Sequence, residues 1–585
     1  MPGLGPEQTH TLSGASMATR QARRITGREA FLEVLADEGV THLFGNPGTT
    51  ELPLMEALPH TPRIRYVLGL QESIVVAMAD GFSRSTGALT AVNLHCMPGL
   101  GHAMGAIHAA GFSGSPIIIT AGQYEIGYGL QEPLLYEPLV EVAAPLVKWA
   151  FEIQRLEDIP RVVRRAAKIA MASPRGPVFL SLPASVLDQE GCIDLLRPTR
   201  VEERVVPAAS VIDRLVERCL SASRPVLLAG RELAEQDAFG PACELAERLG
   251  AAVYLDSVPY NSRFPVEHPC HMGDITRNQR KVRASLEPFD LLICLGGDLL
   301  RMSAYSAVEP LPASLEVIHL SQRDWELGKN YPTDLAIRAH VGSTLPVWLE
   351  ALQATTTSAQ REAAAARVAA LREGNWSSKR DAAAREAGNL RARLPDDSRI
   401  DPGAMMFALS EALPEDALIV EEAPTTAAQL HTFLRVRHPL QAFGLSSGGL
   451  GFALPGAIGM AFGNPGRRVV ALLGDGSAMY AIQGLWTAAH FSLPVSFVIA
   501  NIRSYRIIKD RLIALRDSDH FIGMDLSNPF LDFPALAAGM GVASRSVSRY
   551  VELDPALQWA FAGEGPKLLD VQIASGYEAA EGVVQ

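Results

Sequence analysis

The sequence predicts an α/β protein built from three doubly wound parallel-sheet domains. Apolar runs of strand length alternate with helix-patterned stretches along most of the chain, the signature of repeated βαβ units. Gly474-Asp475-Gly476-Ser477 closes one such run and opens a helical stretch, as expected where a parallel strand hands over to its crossover helix. With 585 residues the chain can bury several cores, roughly three or four domains' worth.

The first domain is expected over residues 23–195. A helix over 28–38 has apolar residues at helical spacing, strand 41–44 and a Gly45-to-Gly48 turn follow, then a helix, strand 66–70, and the same rhythm to about residue 187. A Pro- and Arg-bearing stretch over 196–207 leads to a second domain, 205–352, with β-branched and leucine-rich strands at 226–229, 252–255, 291–295 and 316–320. Residues 353–397 are dominated by Ala, Arg and Glu without a strand pattern, so a surface helical connector is expected. The third domain, 398–577, carries strands at 418–421, 469–473, 495–500 and 568–573. Residues 1–22, rich in Gly, Ser, Thr and Pro, read as a disordered tail without the apolar segment of a secretory signal.

Composition narrows the function. Hydrophobic residues make up 48% and charged residues 20%, the balance of a globular protein, and a net charge of -12 disfavours nucleic acid and anionic membranes as partners. No apolar run reaches the length of a membrane span. The six cysteines lack CxxC pairing, which points to a reducing, cytoplasmic compartment and away from structural zinc.

Four segments carry candidate chemistry. In Gly474-Asp475-Gly476-Ser477, glycines allow close backbone approach to a diphosphate and Asp475 can hold a hard divalent cation, with Asn501 expected beside it at the carboxyl edge of a parallel sheet. The turn Gly45-Asn46-Pro47-Gly48-Thr49-Thr50-Glu51 either presents the Thr49 hydroxyl at a pocket mouth or is a plain βα loop with a threonine N-cap. Glu72, within Leu-Gly-Leu-Gln-Glu-Ser-Ile-Val-Val, is either a first-turn helix glutamate or a carboxyl in apolar surroundings that shares a proton with a ring nitrogen. His95 and His102 flank a Gly-rich loop and are either structural or proton carriers. A further segment, Ser446-Ser447-Gly448-Gly449-Leu450-Gly451-Phe452, places a large side chain among glycines, as a planar ligand would require.

Taken in order, these motifs resemble the thiamine-diphosphate-dependent enzymes of the pyruvate decarboxylase and acetolactate synthase superfamily, and within it the benzoylformate decarboxylases, from about Gly27 to Ile573. The resemblance implies pyrimidine-binding, central and diphosphate-binding domains, and a homodimer or homotetramer with sites at subunit interfaces. It makes Glu72 the residue that protonates the aminopyrimidine ring, His95 a catalytic histidine of the decarboxylases, and Thr49 the hydroxyl facing the substrate carboxylate. It assigns Gly448 and Leu450 to the pyrimidine, Thr425, Gly474, Gly476, Ser477 and Tyr480 to the diphosphate, and Ser504 and Tyr505 to the loop beside it. Magnesium would be held by Asp475, the Ser504 carbonyl and, given a strand bulge, Asn501.

Two departures matter. The family's second consecutive asparagine is Ile502 here, which offers no side-chain oxygen and weakens the expected metal set. Ser303 stands where the decarboxylases have another histidine, which favours carboligation unless His102 or Arg301 compensates. The implied function is decarboxylation of an aromatic or branched 2-oxo acid to an aldehyde, with two alternatives, an acetolactate-synthase-like carboligase and a catalytically silent paralogue. FAD in the central domain finds no GxGxxG in support.

Overall fold

The computed structural model describes residues 22–574 except 304, 394, 396 and 397. The expected tail therefore lies outside the described residues apart from its last position. A two-stranded antiparallel ribbon, β1 (Arg23–Thr26) with β8 (Glu190–Ile193), ties the start of the first domain to its end. The first parallel sheet comprises β2 (His42–Gly45), β3 (Arg65–Leu68), β4 (Thr90–Leu94), β5 (Ile117–Gln123), β6 (Ala150–Glu152) and β7 (Val178–Pro183), ordered β3-β2-β4-β5-β7-β6. The central sheet comprises β9 (Pro225–Ala229), β10 (Ala252–Leu255), β11 (His271–Asp274), β12 (Leu291–Leu295), β13 (Glu316–Ser321) and β14 (Leu335–Arg338), ordered β11-β10-β9-β12-β13-β14. The third comprises β15 (Leu418–Glu422), β16 (Ala442–Gly444), β17 (Val469–Gly474), β18 (Val495–Asn501), β19 (Ala543–Val547) and β20 (Lys567–Gln572), ordered β16-β15-β17-β18-β20-β19.

In each sheet the strand order reverses beside a central strand, so crossover helices cover both faces and the interior strands are buried and mostly apolar, as in β17 and β18. The predicted strand 66–70 ends at Leu68, because Gln71 caps the next helix by accepting the Ser73 and Ile74 amides at 2.8 and 3.3 Å. The stretch 353–397 contains two helices, Ser358–Leu371 and Trp376–Arg393. They are pinned to the body: Trp376 is buried and its indole N–H donates to the His431 carbonyl at 3.0 Å.

The first and third domains share one hydrophobic core. Helix Glu72–Thr86 lies against helix Ala453–Gly463, where Gly81 meets the Gly456 backbone and Gly459 meets the Met78 carbonyl, contacts that leave no room for a side chain. The backbone contact fixes how the carboxyl edges of the two sheets are related.

Candidate active site

Because β3, β2 and β4 are neighbours, their loops leave one sheet edge side by side. The 46–51 turn follows β2, Glu72 opens the helix after β3, and His95 follows β4 directly. Glu51, which no motif singled out, organises this corner. Its buried carboxylate accepts the Gly48 amide at 2.8 Å, the Gly122 amide at 3.0 Å and the Thr50 hydroxyl at 2.7 Å, and its Oε2 lies 2.9 Å from His95 Nδ1. A carboxylate only accepts, so this contact places a proton on Nδ1 of His95 and leaves Nε2 as the ring nitrogen not engaged by Glu51. A Cβ on Gly48 would strike the His95 ring, and one on Gly122 the Glu51 carboxylate, which is why the corner is glycine-lined. Thr49 is exposed at the tip of the turn.

Glu72 is buried, but its surroundings are not apolar as expected. Asn46 Nδ2 lies 3.4 Å from Oε1 and His102 Nδ1 lies 3.1 Å from Oε2. The reason is tertiary: the 46–51 turn and helix Cys96–Ser113 converge on the start of the Glu72 helix from two neighbouring strands.

The second corner stands at the carboxyl edge of the third sheet, where β15, β17 and β18 are adjacent. Glu422, also missed by the motif analysis, ends β15 fully buried and accepts the Gly451, Phe452 and Ala453 amides at 2.7, 2.8 and 2.7 Å. Burial pushes its carboxyl up to about 7 against the pull of those amides. This one side chain anchors the loop bearing Gly448 and Leu450, whose Gly448 and Gly451 take the left-handed φ values of 79° and 100°. Tyr480, 57% exposed, packs its Cβ against Gly451. Thr425 is half-buried, whereas the neighbouring Thr426 hydroxyl is buried with no hydrogen-bond partner.

Asp475 follows β17 at the buried start of the helix Asp475–Met479, with Gly476 and Ser477 buried beside it. Its Oδ1 accepts the Gly476 amide at 2.8 Å, and the backbone of residues 502–504 faces the carboxylate after the chain reverses at Arg503, φ 57°. Burial pushes this carboxyl up to about 6, and its Oδ2 is buried without a hydrogen-bond partner. A buried acid with one oxygen unsatisfied beside a Gly-rich turn fits a hard cation. Ser504 is buried on the same loop, and the Tyr505 ring lies on Gly476.

Asn501 is a correction. The ladder from Ser496↔Lys567 to Asn501↔Gln572 runs without a bulge, so the side chain keeps its alternating side and donates to Asp570 Oδ1 at 2.9 Å while accepting the Arg503 amide at 3.2 Å. Ile502 is buried in the apolar core. Among the described residues no cluster of three or more His, Cys, Asp and Glu side chains is placed to hold a metal, so a cation here would depend on Asp475, backbone carbonyls and ligand oxygens.

In the central domain Ser303 is exposed. Arg301 is held by Asp298 at 2.9 Å and Glu326 at 3.2 Å, with its guanidinium 4.6 Å over the Phe112 ring, and so is committed to packing rather than free as a proton donor. Among the described residues no hydrogen bond or ion pair joins the Glu72 corner to the Asp475 corner.

Three family models match along the chain: the N-terminal TPP binding domain of thiamine pyrophosphate enzymes over residues 25–135, their central domain over 212–347, and their C-terminal TPP binding domain over 423–571. Benzoylformate decarboxylase of Pseudomonas aeruginosa is 32% identical over 549 residues, covering 93% of this chain and 98% of that protein. The acetolactate synthase isozyme 1 large subunit of Escherichia coli is 26% identical, covering 96% of each. Among solved structures, the thiamine diphosphate-dependent 4-hydroxybenzoylformate decarboxylase of Rhodococcus jostii superposes with a TM-score of 0.82 at 31% identity, covering 94% of this chain and 99% of that one. Benzoylformate decarboxylase of Polynucleobacter necessarius gives a TM-score of 0.83 at 29% identity with the same coverage.

Proposed function

Since the chain belongs to the thiamine pyrophosphate enzyme family, we propose that it decarboxylates an aromatic or branched 2-oxo acid to an aldehyde and carbon dioxide, using thiamine diphosphate and magnesium in a cytoplasmic homodimer or homotetramer. The observation that carries the reading is the buried Glu51 carboxylate on His95 Nδ1, which leaves Nε2 unengaged by Glu51 beside the Thr49 turn and on the same sheet edge as Glu72.

The residues present fit the cofactor. The amides of Gly474 to Ser477 and the hydroxyls of Thr425 and Thr426 would hold the diphosphate, Asp475 Oδ2 and the Ser504 carbonyl the magnesium, and Gly448 with Leu450 the pyrimidine. Tyr480 and Tyr505 would wall this cradle. When bound, thiamine diphosphate supplies a nucleophilic carbon and an electron sink for the bond to the departing carbon dioxide. Glu72 holds a proton at its carboxyl and shares it with the ring nitrogen, Thr49 orients the substrate carboxylate, and His95 Nε2 takes and returns a proton near the keto oxygen.

Glu72 and Asp475 lie at the edges of different sheets, and Leu52, Leu70 and Tyr480 beside them are exposed at 59%, 42% and 57%. This apolar exposure supports a site completed by a second subunit. Carboligation is the second reading, favoured by Ser303, because the central domain then lends no imidazole to protonate the product. The test is to incubate the enzyme, loaded with cofactor and magnesium, with benzoylformate and branched 2-oxo acids and to quantify the products. Free aldehyde supports decarboxylation, a hydroxyketone or acetohydroxy acid supports carboligation, and no turnover sinks both.

A further inference from the structure

We infer that Ser446 is a positioning residue for the cofactor's pyrimidine, held by Ser113 of the first domain so that the loop bearing Gly448 and Leu450 keeps its shape. On the reading that Gly448 and Leu450 meet the pyrimidine, on which this rests, the Ser446 tie fixes them on the entry side, opposite the Glu422 anchor. The Ser446 hydroxyl lies 2.8 Å from that of Ser113, and the two residues are 7% and 2% exposed, so each hydroxyl is the other's partner away from water. Among the described residues no hydrogen bond ties 447–450 to another element; the Ser447 hydroxyl accepts the Gly449 amide at 3.1 Å, a bond within the loop. The placement of Gly448 and Leu450 is therefore set by the two ends, Ser446 before them and Gly451 after them.

Ser113 is a fixed point. It is the last residue of helix Cys96–Ser113, which Gly114 ends in the left-handed region at φ 72°. Arg231 of the central domain donates to the Ser113 carbonyl, and Ser115 donates to the buried Asp80 of helix Glu72–Thr86. The Ser113 hydroxyl thus stands where all three domains meet. Arg84, in the last turn of helix Glu72–Thr86 and away from the Glu72 corner, secures the roots of the loop: it donates to the Gly444 carbonyl at 3.1 Å, and its guanidinium lies 4.5 Å over the Phe452 ring. Gly444 precedes the loop and Phe452 follows it, so the Ser113–Ser446 pair is the tie that reaches inside.

The experiment uses the full chain, with Ser113→Ala, Ser446→Ala and the double variant. Calorimetric titration in excess magnesium compares thiamine diphosphate with inorganic pyrophosphate, which needs the 474–477 cradle but not the pyrimidine loop. Each single variant should bind thiamine diphosphate ~3- to 10-fold more weakly, the worth of one buried hydroxyl pair, with pyrophosphate within about twofold of the wild type. The double variant should bind no more weakly than the worse single, because the second substitution removes a partner already lost. A general loosening of the third domain would weaken both ligands alike, so equal losses overturn the positioning role. Thiamine diphosphate affinities within about twofold of the wild type in both singles, or losses that multiply in the double variant, overturn it too. The wild type separates the two readings. If it binds thiamine diphosphate no tighter than pyrophosphate, the pyrimidine assignment of Gly448 and Leu450 falls and the role of Ser446 with it; a clear margin that survives both substitutions leaves that assignment standing and removes Ser446 alone.

Discussion

Glu422→Gln tests whether one buried carboxylate holds the pyrimidine side of the cradle. Glu422 takes three backbone amides, from Gly451, Phe452 and Ala453, within 2.7–2.8 Å. Glutamine has the same shape but a single oxygen, so it turns an NH₂ group against at least one of those N–H groups. Two weakened charge-assisted bonds amount to about 3–6 kcal/mol. Against this, burial has raised the carboxyl from 4.5 to about 7, and removing that buried charge returns about 3 kcal/mol at ~1.4 per unit. The net loss is up to about 3 kcal/mol with a midpoint near ~1.5, concentrated in the 448–453 loop, so thiamine diphosphate should bind on the order of 10-fold more weakly and at most ~150-fold. Quenching of tryptophan fluorescence on cofactor titration reads the affinity, and thermal unfolding of the apoprotein checks that the fold persists. Affinity within twofold of the wild type would refute the anchoring role of Glu422.

Asp475 should show opposite signs in its two states. Because its folded pKa is raised from 3.8 to about 6, its contribution to apoprotein stability is full below about pH 4 and lost as pH rises towards 6, whereas metal-dependent cofactor binding, which requires the carboxylate, should rise through the same window and level off above about 7. Asp475→Asn should accordingly leave an apoprotein up to about 3 kcal/mol more stable at neutral pH, by calorimetry, that no longer binds cofactor in response to magnesium. Glu51→Gln deprives His95 Nδ1 and two backbone amides of their charged acceptor; steady-state kinetics should show kcat down ~10- to 100-fold with KM nearly unchanged, and an equal loss in both would instead indicate a collapsed turn. Thr426→Val removes a buried hydroxyl that has no partner in the protein, so denaturant unfolding of the apoprotein should be unchanged or slightly more stable while cofactor affinity falls by about 1 kcal/mol.

In the second and third domains the strands legible in the sequence are the interior ones, and those that escaped notice are at the edges. β9, β10, β12, β13, β15, β17, β18 and β20 stand in the apolar runs read from periodicity, with ends shifted by a residue at most. β6, β11, β14, β16 and β19 are edge strands, three to five residues long; a chain paired on one side only and partly in water need not be apolar, so His271–Asp274 and Ala543–Val547 leave no hydrophobic signal. The same logic divides the site. Gly474 to Ser477, Glu72 and His95 were visible because a βα turn at a sheet edge is a local event, written within a few consecutive residues.

Glu51, Glu422 and Thr426 were invisible because what distinguishes them is who surrounds them. Glu51 looks like an ordinary first-turn acid until Gly122, 71 residues away, donates to it. Glu422 ends a strand as many exposed acids do, yet its partners lie 29–31 residues further on. The one local clue was that Glu421 and Glu422 directly continue an apolar interior run without a turn residue between, a placement that buries charge and so calls for dedicated donors. Asn501 fails in the opposite direction. Strand alternation sends its amide nitrogen to Asp570, while the backbone of residues 502–504 meets Asp475. Ile502 offers no side-chain oxygen and the Asn501 amide nitrogen is engaged by Asp570, so on the proposed reading the orphaned Asp475 Oδ2 is the main protein charge for a cation, and cofactor loading should depend on magnesium concentration and pH more steeply than at a site with a second side-chain oxygen.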